Sequence, residues 1–132
     1  MECKYVKLLK SEKLIDDYEC QVKYVFNESF RKFVLKNNGG RPKKKIFDTD
    51  KTKERELKTF LSFNHEDRET VWKLFEWNKE ELKNRYIPFA IDNFGNLICF
   101  DGNNDKIVFI NHENLSIEII ADNFDAFINK LY

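Results

Sequence analysis

Glycine and proline are scarce in this chain, four and two among 132 residues, and they nowhere gather into a linker or a low-complexity tract. Connections between elements are therefore short. The 42% hydrophobic content, with thirteen phenylalanines, is enough core for one domain over residues 1–132. Cysteine is scarce too. Cys3, Cys20 and Cys99 are odd in number and include no CxxC, a reducing-compartment pattern rather than a disulfide framework. No apolar run reaches the roughly 18–20 residues of a membrane span, and Met1 to Lys7 lacks the apolar centre of a signal peptide. The expectation is a soluble, cytoplasmic protein. An excess of either charge is also missing: 23 basic and 23 acidic side chains cancel, so no global field draws the chain to nucleic acid or membrane.

The same shortages argue against catalysis. A hydrolase needs a base, a nucleophile and an oxyanion donor together. The only histidines are His65 and His112, each flanked by polar residues and neither near a nucleophile motif. Cys99 sits among Leu, Ile and Phe and reads as an inert core thiol. Two histidines without HExxH spacing and three scattered cysteines give no zinc pattern. Asp101, Asn103 and Asp105 match the opening ligands of a calcium loop, but Lys106 stands where glycine is needed and His112 where the final carboxylate is needed. Asn38-Gly39-Gly40-Arg41 lacks the strand–loop–helix order and the Gly-Lys-Ser/Thr ending of a phosphate loop. No metal, cofactor or enzymatic activity is expected.

What is present is organised around Pro88 to Asp101. Two apolar runs, Phe89–Ile91 and Leu97–Phe100, flank Asp92-Asn93-Phe94-Gly95-Asn96, whose Asx side chains and Gly95 are turn chemistry. Leu97–Phe100 and Ile107–Ile110 do not alternate with polar residues, so the hairpin belongs to a meander covered on both faces, or on one face by its own chain and on the other by a partner. The periodicity predicts a strand or strand-like arm at Tyr5–Leu9 and a helix over 12–23 with Leu14, Ile15, Tyr18, Val22 and Val25 in phase. It predicts a second helix capped by Asn27, carrying Phe30, Phe33 and Val34, and stopped by Asn38-Gly39-Gly40 and Pro42. Strands follow at Ile46–Thr49 and Leu57–Phe63. Asn64 or Asp67 then caps a long helix containing Val71, Trp72, Leu74, Phe75, Trp77 and Leu82. After the meander strand Leu115–Ala121, Asp122 or Asn123 caps a last helix with Phe124, Phe127, Ile128 and Leu131. Segregated blocks of this kind indicate α+β, helices packed on an antiparallel sheet.

Several stretches fall in a telling order: Phe30-Arg31-Lys32-Phe33-Val34 into Asn37-Asn38-Gly39-Gly40-Arg41-Pro42, then Phe47-Asp48-Thr49, then Phe60-Leu61-Ser62-Phe63. Ile87-Pro88-Phe89-Ala90, Phe94 to Asp101, Ile107-Val108-Phe109 and Ala121 to Phe127 complete it. This order resembles the SUKH superfamily, which contains the yeast Smi and Knr cell-wall regulators and many bacterial immunity proteins. Where many members carry Leu-Pro before the second helix, this chain has Val25-Phe26. The resemblance implies a sheet flanked by helices, no enzymatic activity, and protein binding: a cytoplasmic immunity protein that blocks a toxin, often a nuclease or deaminase. The alternative within the same fold is an intracellular adaptor with a non-toxin partner.

The candidate binding residues follow from charge and exposure. Residues 88–132 hold seven acidic and two basic side chains, a net of −5, leaving +5 on the rest. Carboxylates at Asp92, Asp101 and Asp105, with Asn93 in the first turn, would complement the basic cleft of a nucleic-acid-acting toxin. Arg41 sits on a rigid turn after the glycines. Trp77 is the more exposed of the two tryptophans, since the apolar face centres on Leu74 and Phe75. The basic stretch from Arg41 to Lys58 is a third reading, phosphate contact, weakened by the acidic residues that interrupt it.

Overall fold

The computed structural model describes residues 1–132. The elements run β1 (Cys3–Lys4), α1 (Lys13–Val22), α2 (Glu28–Asn37), β2 (Arg41–Pro42), β3 (Ile46–Phe47) and β4 (Arg55–Phe60). Then come α3 (Val71–Trp77), α4 (Lys79–Leu82), β5 (Tyr86–Asp92), β6 (Leu97–Asp101), β7 (Ile107–Ile110), β8 (Ile117–Ala121) and α5 (Phe124–Lys130). The fold is α+β. β1 and β2 make a small ribbon, and the other strands form one antiparallel sheet in the order β3-β4-β5-β6-β7-β8.

Every residue of β5, β6 and β7 is buried. Because successive side chains of a strand face opposite ways, both faces of the meander are covered, as its missing alternation implies. Phe89 and Phe100 meet Phe30 of α2 and Phe124 of α5 with ring centroids 5.0 to 6.1 Å apart, within the range of favourable aromatic pairing. The helices that supply this cover are capped as expected: the Asn27 side chain accepts from the Phe30 N–H at 2.8 Å and Asn123 from the Ala126 N–H at 2.8 Å.

The sheet curls toward a barrel and its edges are closed. After β3 the chain reaches β8, where the Asp50 N–H donates to Ile119 O and the Asp50 carboxylate accepts from the Ile119 N–H, each at 2.8 Å. Tyr132 exchanges two 3.0 Å backbone bonds with Ile46. Beside the seam, buried Glu118 accepts from the Thr49 hydroxyl at 2.6 Å and from Arg55 at 3.1 Å, and the Arg55 guanidinium lies 4.0 Å from the Phe109 ring centroid. Burial pushes the Glu118 carboxyl up, but these donors outweigh it and hold it below its ordinary value.

Several local expectations give way to longer-range bonds. No long helix starts at Asn64 or Asp67. Thr70 caps α3 by accepting from the Lys73 N–H at 3.1 Å, and the helix breaks at Asn78. Asn64 is engaged elsewhere, donating to Leu8 O at 2.9 Å and accepting from the Lys10 N–H at 3.0 Å. The strand read at Leu57–Phe63 runs Arg55–Phe60 instead, with a register shift between Leu57 and Thr59 that breaks its alternation. β1 precedes the arm predicted at Tyr5–Leu9, which carries no ladder and is tied by the Lys7 N–H to Asn38 O at 2.7 Å. In β8 the alternation of Leu115, Ile117 and Ile119 against Ser116, Glu118 and Ile120 would turn the all-apolar set inward, but the phase is reversed: Glu118 and Ile120 face inward and Ile119 is exposed, with Arg55 giving the carboxylate a partner. Val25 lies beyond α1 and is exposed, and Phe26 takes the core position.

Candidate functional site

The candidate surface lies where the arm of residues 3–10 crosses the end of α2 and the flank of β4. Asn38 builds it. This residue is buried; its Nδ2 donates to Lys7 O at 2.7 Å and Ser62 Oγ at 3.0 Å, and its Oδ1 accepts from the Phe63 N–H at 2.8 Å. One side chain thus joins helix, arm and sheet. The two glycines let the arm approach. A Cβ on Gly40 would stand 2.8 Å from the Cys3 Cβ, and one on Gly39, whose φ is +65°, would stand 2.9 Å from the Lys7 Cγ. Asn38-Gly39-Gly40 is therefore a docking seat for the arm as well as a helix stop.

Beyond the seat, Arg41 pairs with Lys4 across the ribbon and Pro42 with Cys3. Arg41 is exposed, and its guanidinium lies 5.7 Å from the centroid of Tyr5, a ring 68% exposed on a residue with φ +57°. The two side chains form a ridge. On one side is a cleft of about 280 Å³ bounded by Lys7, Thr59, Ser62 and Arg68. On the other is a depression of about 350 Å³ that reaches Lys45, Lys58 and Asn93.

Of the residues singled out from sequence, Arg41 and Asn93 come together on this face. The others do not. Trp77 is 70% exposed at the end of α3 but lines neither depression, while Trp72 is half-buried and donates its indole N–H to Phe63 O at 2.9 Å. Asp92 is buried and accepts from the Phe94 and Asn96 N–H groups at 2.9 and 2.8 Å and from the Asn96 amide at 2.7 Å. Asp101 is buried under a two-pronged contact from Arg85, both arms 2.9 Å, which holds its carboxyl below the ordinary value. Asp105 is exposed and accepts from the Tyr24 hydroxyl at 2.6 Å. Tyr86 pairs with Asp101 and Ile91 with Leu97, so Asp92 and Asp101 sit at opposite ends of the hairpin, about 20 Å apart at ~3.3 Å per residue. The anticipated acidic face is two separate turns. Of the structural motif residues, Pro88 lies inside β5, paired with Cys99, and Gly95 takes φ +84° in the first turn.

The basic stretch is likewise divided. Lys43 pairs with Glu2 at 2.7 Å, Lys45 with Glu56 at 2.8 Å, Arg55 with Glu118 at 3.1 Å and Lys58 with Glu69 at 2.7 Å. His65 stacks on Trp72 with centroids 4.2 Å apart, and burial pushes the Cys99 thiol well up. No group of three or more His, Cys, Asp or Glu side chains is placed to hold a metal ion, and no helix is long and apolar enough to cross a membrane.

Sequence reasoning missed Tyr5, Lys7 and Arg68, and it used Phe94 only as a turn residue. Phe94 is 77% exposed at the hairpin tip next to Asn93. Its signal was available: a large aromatic between Asn93 and Gly95 has no core phase to satisfy. Nothing local marks Arg68, which reaches the cleft only because Ser62 and Thr70 bridge across its loop.

A model of the SMI1 / KNR4 family (SUKH-1) matches residues 10–130. No curated protein matches the chain. The matched span contains Arg41, Arg68 and the glycine seat; the arm residues Tyr5 and Lys7 lie before it.

Proposed function

Because the chain belongs to the SMI1 / KNR4 family (SUKH-1), we propose that it is a non-enzymatic protein-binding module, and specifically an immunity protein that binds a cognate toxin one-to-one and blocks it. The observation that carries this reading is the Tyr5–Arg41 ridge. Arginine and tyrosine are enriched among residues that dominate binding energy. Here both are exposed, Arg41 on the ribbon and Tyr5 in the bend that follows β1, with the backbone fixed by Asn38 and the glycine seat, so little backbone order is lost on association. The depressions on either side give partner side chains somewhere to insert. Inhibition is by occupancy and needs no reacting group.

The test is co-expression with the toxin domain encoded beside the gene, followed by affinity purification and a viability assay. A stoichiometric complex with rescue of the toxin-expressing cells is expected, and Arg41→Glu weakens both. Absence of complex and rescue overturns the immunity reading. Stable capture of a housekeeping protein instead identifies the adaptor role.

A further inference from the structure

Unpaired lysines occur elsewhere on the surface, but of the five arginines the two that make no ion pair, Arg41 and Arg68, line one cleft. Lys7, Arg41 and Arg68 line it, and none of the three makes an ion pair. Its two carboxylates are already engaged: Asp67 accepts from the Ser62 hydroxyl at 2.6 Å and the Asn64 amide at 3.1 Å, and Glu69 is bound by Lys58 at 2.7 Å. Counting Lys58, four cations meet two carboxylates, and the three open ones surround a space of about 280 Å³. That volume lies at the small end of ligand pockets, enough for one or two side chains.

We infer that this cleft receives an Asp or Glu side chain of the protein partner, with Arg41 and Arg68 as its cationic walls and Tyr5 as its rim. The inference rests on the protein-binding reading and reverses the polarity expected from sequence: the partner brings the carboxylate and this chain the cation. Planar guanidinium groups suit a carboxylate because each offers parallel N–H donors. A nucleic-acid backbone fits less well. Glu2 and Glu56 neutralise Lys43 and Lys45, the lysines that would continue a phosphate track beyond the cleft.

The experiment needs no toxin. Isotope-labelled protein is titrated, by amide NMR, with a blocked tri-glutamate peptide, the blocked tri-glutamine peptide, and inorganic phosphate. The acidic peptide is expected to shift the Gly39, Gly40, Ser62 and Arg68 amides saturably while Asn103, at a distant turn, stays still. The glutamine peptide is expected to bind at least about tenfold more weakly, and Arg41→Ala or Arg68→Ala to weaken the acidic peptide about threefold or more. Static cleft amides, equal binding of the glutamine peptide, or tighter saturation by phosphate overturns the assignment. Failure to capture a toxin leaves this titration intact, whereas toxin capture without cleft saturation removes the cleft assignment alone.

Discussion

The carboxylates at the meander turns and the cations beside the arm are both local concentrations of charge in the folded chain, but they meet opposite fates. Asp92 closes its turn with three hydrogen bonds, and Asp101 is clamped by Arg85. Lys7, Arg41 and Arg68 surround a cleft with no ion-pair partner among them. A charge that satisfies the fold's own backbone is unavailable to a partner without unfolding the turn, whereas a charge left unpaired on a rigid edge is ready to bind. On the proposed reading, recognition falls to charges the fold leaves over, and the two regions should respond differently to substitution.

The largest effect is expected at the seat between them. Asn38→Ala leaves Lys7 O and the Phe63 N–H without their partners, which at the usual cost of buried unpaired groups is about 3 kcal/mol. The urea midpoint should fall, and the Lys7 amide should exchange faster as the arm loosens. Asp92→Ala follows at about 2 kcal/mol, since it strips the Phe94 and Asn96 N–H groups. Asp105→Asn, on an exposed loop, keeps an acceptor for the Tyr24 hydroxyl and tolerates φ +63°, and should stay within about 0.5 kcal/mol of wild type. Equal losses at Asp92 and Asp105 would erase the distinction between a buried turn-closing carboxylate and an exposed one.

Next comes acid. The Arg85 contact holds the Asp101 carboxyl low, and the Thr49 and Arg55 bonds keep Glu118 low against its burial. Folded values below the unfolded ones mean that this stability is fully present above about pH 4–5, the unfolded carboxyl range, and is lost as pH falls through the folded values. Denaturant midpoints should drop between pH 5 and about pH 2, and Asp101→Asn should flatten that slope while lowering the midpoint at neutral pH. The smallest effect on stability belongs to the cleft: Arg41→Ala and Arg68→Ala should each change it by no more than about 0.5 kcal/mol, with circular dichroism and melting curves near wild type.

The sequence made legible what is decided locally. Ile107–Ile110 is a strand with the bounds its apolar run indicates, and Asn27 and Asn123 cap the helices they precede. It failed where a distant partner decides. Asn64 looks like a helix cap until Leu8 and Lys10 engage it from 56 and 54 residues away. The reversed phase of β8 depends on Arg55, 63 residues before Glu118. The same limit governs the site. Arg41 was visible as an arginine on a glycine-braced turn, but its availability depends on where Tyr5 and Arg68 arrive. The apparent acidic face was a feature of chain order, which the antiparallel hairpin separates into its two ends.

The most direct measurement is calorimetric titration of a partner toxin domain, sought among the products of genes beside this one, into wild type, Arg41→Glu and Asp105→Lys. If the ridge is the binding surface, wild type binds one-to-one, Arg41→Glu weakens binding by about tenfold or more, and Asp105→Lys stays within about twofold. Unchanged affinity in Arg41→Glu together with loss in Asp105→Lys would contradict it and return recognition to the acidic turns.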